Sequence, residues 1–168
     1  LSSVTGNFTM AGGTLTVAPA VTLEIGGNLS QTGGAFQLSA GTISLSGTSP
    51  QTLSVQPGSY FDSLRVASAA AVTALSDLDV NGTLTVAANG SLYLSSATVL
   101  AVSGSVLQSG SVFAPPSHLT RFKGTSPQTA QMTRFGRLRV SNASGVTIPS
   151  GLTPTISSSV VVDPGATL

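Results

Sequence analysis

The sequence predicts an all-β chain wound as a right-handed parallel β-helix of about seven turns. Three observations predict it. The hexapeptide Gly-Thr-Ser-Pro-Gln-Thr occurs at Gly47–Thr52 and again, unchanged, at Gly124–Thr129, 77 residues further on. A shorter period of 21 residues lies inside that one, since GNFTMAGGTLTV from Gly6 matches GNLSQTGGAFQL from Gly27. Apolar residues recur at every second position, the period of a half-buried strand, and no segment reads as a helix.

The long repeat extends well beyond the hexapeptide. Without a gap, Thr14–Thr52 lies over Ser91–Thr129, which sets Leu15 over Leu92, Leu23 over Leu100, Gln31 over Gln108 and Phe36 over Phe113. After a three-residue deletion the match resumes, with Leu64-Arg65-Val66 over Leu138-Arg139-Val140 and Val72-Thr73 over Val146-Thr147. The chain is thus a tandem duplication: copy one at about 1–77, copy two at about 78–154, and the start of a third over 155–168. A sandwich is the other all-β architecture open to such strands, but its topology does not tolerate copying in 21-residue units. A solenoid turn contacts only its neighbours and can be copied without limit. Right-handed winding is expected from crossover chirality. Leu168 falls opposite Leu92 in mid-pattern, and Leu1 is neither an initiator nor a cap, so the residues are expected to be a window onto a longer array.

The strands follow in order as Leu15-Thr-Val17, Leu23-Glu-Ile25, Ile43-Ser-Leu45, Leu64-Arg-Val66, Leu78-Asp-Val80 and Leu84-Thr-Val86. Gly-Gly, Pro-Gly, Asn-Gly and Ala-Gly pairs separate them and supply the corners. Alternation then points Leu15, Leu23, Phe36, Leu45, Leu64, Leu84, Leu92, Leu100, Phe113, Phe122 and Leu138 inward. Leu15 should stack on Phe36, and Leu92 on Phe113, one turn away.

Composition narrows the function classes. Only 7% of residues are charged, against about 25% in typical soluble domains, yet no apolar run approaches the roughly 18 residues of a membrane span. No membrane insertion is expected, and a net charge of +1 gives no reason to expect nucleic acid. Cysteine is absent, which removes disulfide frameworks and thiolate metal sites. Signal, targeting and lipidation motifs are absent too, as expected of a window cut from a longer chain.

Few residues can carry chemistry. Asp77 and Asp79 sit two apart around Leu78 and would share one strand face. Two carboxylates could act as acid and base on a polysaccharide, but an outward polar face is the simpler reading, because copy two has Gly151 and Thr153 nearby instead. His118, the single histidine, lies in Pro-Pro-Ser-His-Leu and reads as loop surface, and one His assembles neither a triad nor a metal cluster. No phosphate-cradling motif stands in a strand-loop-helix context, so no cofactor is expected. Five of the six basic residues, Arg121, Lys123, Arg134, Arg137 and Arg139, cluster between 121 and 139. With strand alternation, Arg121 with Lys123 and Arg137 with Arg139 point outward from successive turns, a positive patch whose partner would be an anionic polysaccharide or headgroup. The same charges could simply keep the rod soluble and blunt its edges. All five asparagines, Asn7, Asn28, Asn81, Asn89 and Asn142, stand in Asn-X-Ser/Thr, the formal acceptor pattern for N-glycosylation. Thr14-Leu-Thr16 and Thr83-Leu-Thr85 offer outward Thr pairs of the kind that could bind ice or a crystalline surface, but the turn after Thr14 presents Ala35 and Gln37 in their place.

The run GTSPQT, Phe61-Asp-Ser-Leu-Arg-Val66, Val72-Thr73 and Val80-Asn-Gly-Thr-Leu-Thr-Val86 resembles the repeats of very large secreted bacterial β-helix proteins. These are adhesin-like surface proteins of the filamentous-haemagglutinin and autotransporter-passenger type. The resemblance covers nearly the whole chain and implies an extracellular, cell-surface stalk, adhesin or matrix component without enzymatic activity. Its partners would be adjacent repeats of the same chain or further copies joined end to end.

Overall fold

The computed structural model describes Ser2–Leu168; Leu1, at the end expected to lack a cap, lies outside the described residues. Short strands, numbered in chain order, stack in three parallel sheets. The first face holds β1 (Ser2–Val4), β3 (Thr22–Ile25), β5 (Thr42–Leu45), β7 (Ser63–Val66), β10 (Leu84–Val86), β13 (Val106–Gln108), β16 (Gln128–Gln131) and β18 (Val146–Thr147). The second holds β2 (Phe8–Thr14), β4 (Leu29–Ala35), β6 (Gln51–Ser54), β8 (Ala71–Ala74), β11 (Ser91–Leu94) and β14 (Ser111–Phe113). The third holds β9 (Leu78–Val80), β12 (Val99–Val102), β15 (Leu119–Phe122), β17 (Arg134–Val140) and β19 (Thr155–Val162).

From β7 to β16 the chain visits the three faces in rotation, whereas the strands before β7 alternate between the first and second faces and those after β16 between the first and third. One circuit runs β7, β8, β9 and back to β10, where Leu64 pairs with Leu84. The eight strands of the first face therefore mark eight levels of a β-solenoid, close to the seven or so that the repeats predict.

The two copies do not present the same faces. The first-face strands β1, β3, β5 and β7 of copy one have β9, β12, β15 and β17 as counterparts in copy two, all on the third face. Likewise β4, β6 and β8 of the second face correspond to β13, β16 and β18 of the first. Ser2 reaches Leu64 after three circuits, through Leu23 and Ile43, and Leu84 after a fourth. Its repeat counterpart Asp79 falls between those two levels, on the third face. The repeat thus spans roughly three and two-thirds turns, so copying carries every feature one face around the rod as well as up it.

Columns of apolar side chains fill the interior. On the first face Leu23, Ile43, Leu64, Leu84, Val106 and Ala130 form one column, with Ile25, Leu45, Val66 and Val86 beside it. Of the residues expected to point inward, Phe36, Leu45, Leu64, Leu84, Leu92, Leu100, Phe122 and Leu138 are fully buried. Leu15 and Leu23 are only partly buried, because no earlier described strand lies below Leu15 and only Ser2, with its short side chain, pairs below Leu23.

Phe113 is the exception. It was expected inward with Phe36, but it is 45% exposed, and Val112 and Ala114 take the interior positions. The cause is a register slip. Thr14 pairs with Ala35 in copy one, whereas its counterpart Ser91 pairs with Ser111, one residue short of the equivalent Val112. Copy one holds its register through two compensating irregularities, between Met10 and Ala11 and between Ala11 and Thr14, at the second of which Gly34 has φ +79° and a side chain would strike Gly13. Copy two has Ser111 at the place of Gly34, and an L-residue rarely adopts that conformation. A slip of one residue turns each side chain to the opposite face. Leu92 accordingly stacks on Val112, and Phe113 lies against Tyr93 outside.

The repeated hexapeptide forms a corner pinned by its glutamine. Gln51 is buried; its Oε1 accepts from the Gly47 N–H at 2.9 Å, and its Nε2 donates to the carbonyls of Ile25, at 3.0 Å, and Gly27, in the turn below. Gln128 repeats the pattern with Gly124, Val102 and Gly104. A side chain at Gly47 or Gly124 would collide with the Gly26 or Ser103 carbonyl below, so the first position of the hexapeptide must be glycine. Gln31 and Gln108, matched in the repeat, staple upward: their Oε1 atoms accept from Gln56 N and Thr133 N, one turn on. Buried backbone groups at a corner need a partner, and these side chains supply it.

Candidate functional site

The charged residues lie mainly along the third face. Arg121 and Arg139 are opposite each other on β15 and β17, with Asp79 and Ala101 below Arg121 in the same column. Lys123 reaches down to Asp79, with Nζ 2.7 Å from Oδ2. Arg139 Nε lies 3.0 Å from Asp163 Oδ1, and Ser141 Oγ donates to the same carboxylate at 2.6 Å. The Ser141 hydroxyl and the Arg139 guanidinium hold the Asp163 carboxyl below its ordinary range. Arg121 donates to Ser141 Oγ, and Arg137 to the Ser117 carbonyl.

Four of the five residues of the expected basic patch, Arg121, Lys123, Arg137 and Arg139, are thus together, and two of them are paired with carboxylates. Arg134 is not with them. It stands at the start of β17, where its guanidinium carbon is 5.8 Å from the centre of the Phe113 ring, over the second face.

Asp77 and Asp79 flank the inward Leu78 on the outside of β9. Asp77 Oδ1 accepts from Val99 N at 2.8 Å, and Asp79 is tied to Lys123, so each carboxylate fastens one level to another. Together they border a shallow depression of about 280 Å³ between β9, β12 and the Pro57-Gly58 corner. Among the described residues no three His, Cys, Asp or Glu side chains gather in a metal-binding group.

His118 is not on a surface loop. It is fully buried at the corner before β15. The Thr98 hydroxyl donates to the Ser95 carbonyl at 2.7 Å and so accepts, at 3.0 Å, from His118 Nδ1–H. Nε2 is then the unprotonated nitrogen, and it meets no partner in the interior. Burial lowers the imidazole pKa to about 4, against the opposing pull of the Ser95 carbonyl and the Asp77 charge.

Asn142 is buried as well, and its side-chain nitrogen donates to Ser126 O, Gln128 Oε1 and Gly145 O, leaving it closed to modification in the folded chain. Asn28 Oδ1 accepts from Thr52 N, and Asn7 Oδ1 from Asn28 N, a short ladder at one corner. The threonine pairs form no ladder: Thr85 lies between Arg65 and Leu107.

The second face carries a feature that the basic cluster does not foretell. Tyr93 and Phe113, paired in register, are both 45% exposed, with ring centres 5.6 Å apart and planes tilted by 33°. Tyr93 was readable as outward from Leu92-Tyr93-Leu94; Phe113 was not, because the slip at Ser111 sets its direction. Comparison of the chain with protein-family models, curated proteins and solved structures finds no match.

Proposed function

We propose that the chain is a non-enzymatic structural segment of an extracellular bacterial surface protein or fibre, a stiff spacer extended level by level through strand pairing. One observation carries the reading: both end levels are open to continuation. At one end β1 and β2 pair on a single side, and Phe8, Leu15, Val21 and Leu23 line an open hollow of about 440 Å³ shaped to take the side chains of a further strand. At the other, Val160 and Val162 stand in register with the buried Leu138 and Val140, yet remain 45% and 44% exposed. Unpaired strand edges of this kind recruit further strands. The buried polar side chains serve the same end, since Gln31, Gln51, Gln108 and Gln128 all join one level to the next.

In parallel pairing successive residues turn their N–H groups to opposite sides, and Asp163 N bonds back to Val140 O. The Val162 N–H therefore faces the open edge. Static light scattering of the isolated chain should rise with concentration faster than a monomer allows. Val162→Pro, which removes an edge donor, and Val160→Lys, which sets a charge over the open core, should both suppress the rise and leave the circular dichroism of the strands unchanged. A wild-type chain that stays monomeric at high concentration would refute extension through these edges.

A further inference from the structure

We propose that Tyr93, Phe113 and Arg134 form a binding platform for an acidic polysaccharide, with pyranose rings lying on the aromatic pair and a sugar carboxylate held by the arginine. The inference is independent of the reading of the rod as a spacer. The two rings sit on successive levels of an open sheet face, tilted against each other at 5.6 Å, and each residue remains 45% exposed. An aromatic face is electronegative at its centre, so it attracts the polarised C–H bonds on the apolar side of a sugar ring, and strand spacing of about 4.8 Å repeats that surface on the scale of one such ring. Ser91 and Ser111, paired two residues before Tyr93 and Phe113 on the same strands, have short side chains that leave the rings accessible and offer hydroxyl partners to sugar hydroxyls.

Charge decides between neutral and acidic ligands. Arg134 leans over Phe113 and, among the described residues, is in no ion pair with a carboxylate. The chain's carboxylates all lie elsewhere: Glu24 on the first face, Asp79 and Asp163 along the third, and Asp62 and Asp77 at corners outside β2, β4, β6, β8, β11 and β14. The second face thus carries an exposed cation with no internal counter-charge, and a guanidinium fork binds a carboxylate through two parallel hydrogen bonds. A folded protein partner fits less well, because two rings and one arginine provide far less than the roughly 1,000 Å² that a stable protein interface buries.

Affinity electrophoresis tests the platform, with polygalacturonate as the acidic probe and dextran as the neutral one. Polygalacturonate should retard the wild-type chain much more than dextran does. Phe113→Ala, Tyr93→Ala and Arg134→Gln should each weaken the retardation about tenfold, the size of one lost ring or charge contact, while Tyr93→Phe keeps it. Arg121→Gln and Arg139→Gln should change it less than twofold. All these side chains are at least partly exposed, and unchanged melting temperatures would confirm that the variants fold. The proposal is overturned if wild type is not retarded, or if retardation survives Phe113→Ala but disappears in Arg121→Gln and Arg139→Gln, which would assign it to the third face. It is equally overturned if Phe113→Ala abolishes self-association and no polysaccharide retards the chain, since the rings would then be a contact between copies.

Discussion

Replacing the buried glutamine of each hexapeptide by leucine, a side chain of similar size with no polar atoms, isolates what the repeat contributes. In Gln51→Leu the Gly47 N–H loses its acceptor in a buried corner, and the Gly27 carbonyl loses the donor from above. The Ile25 carbonyl keeps one partner, Ser46 N at 3.1 Å. A buried donor left without a partner costs about 1–3 kcal/mol, and a lost bond to a group that retains another partner about 0.5–1.5 kcal/mol. The expected loss of stability is therefore about 2–4 kcal/mol. Gln128→Leu should cost about 1 kcal/mol more, because Gln128 Oε1 also accepts from Asn142 Nδ2 at 2.9 Å. In copy one the residue at that place is Ser68, whose hydroxyl donates to the Gly47 carbonyl instead and is untouched by the change. Urea denaturation followed by circular dichroism would measure both costs, and hydrogen exchange at the Gly47 and Gly124 amides would localise them. Gln56→Leu serves as control, since its amide bonds only the Thr32 carbonyl at an exposed position and should cost less than about 0.5 kcal/mol. Costs at Gln51 and Gln128 no larger than the control, or unchanged protection of the two glycine amides, would show that the hexapeptide is not a pinned corner.

Two further outcomes follow from burial. Phe36→Ala should cost about 3–5 kcal/mol, since the ring is fully buried and stacked edge-on against Phe61 at 5.0 Å. Phe113→Ala, at the equivalent place in the repeat, should cost less than about 1 kcal/mol, and equal losses in thermal melts would refute the register slip. His118 makes stability depend on acid. Its folded-state pKa, about 4, lies below the ordinary 6.5, so the folded chain binds the proton less readily than the unfolded one. The stability that His118 carries should be complete above pH 6.5, fall by about 3 kcal/mol as pH drops from 6.5 to 4, and level off below that. Comparison of chemical denaturation of wild type and His118→Gln across this window would check it, and equal slopes would refute it.

Much of the fold was legible because a solenoid writes its geometry into its spacing. Alternation at Leu64-Arg-Val66 and Leu84-Thr-Val86 set inside and outside correctly, and the 21-residue period implied turns that stack on their neighbours. The candidate sites were legible in part. Alternation turned Arg121, Lys123, Arg137 and Arg139 outward, but nothing local indicated that Lys123 would meet Asp79, 44 residues earlier. His118 was misread because a Pro-Pro-Ser context describes the backbone of a corner, whereas the side chain's direction depends on Thr98 in the level below.

The sequence by itself determined that the chain is a parallel coil, that it repeats in tandem, and that glycine-containing pairs form the corners. Those properties are local or periodic, and each is repeated often enough to be read. Tertiary structure alone decided which way each face looks. The angle through which a 77-residue repeat winds depends on how many residues each corner absorbs, and so the copies are turned one face apart. For the same reason a slip of one residue at Ser111 carried Phe113 out beside Tyr93. A residue's identity fixes whether burial favours it, but pairing with the strand below fixes which side of the sheet it occupies.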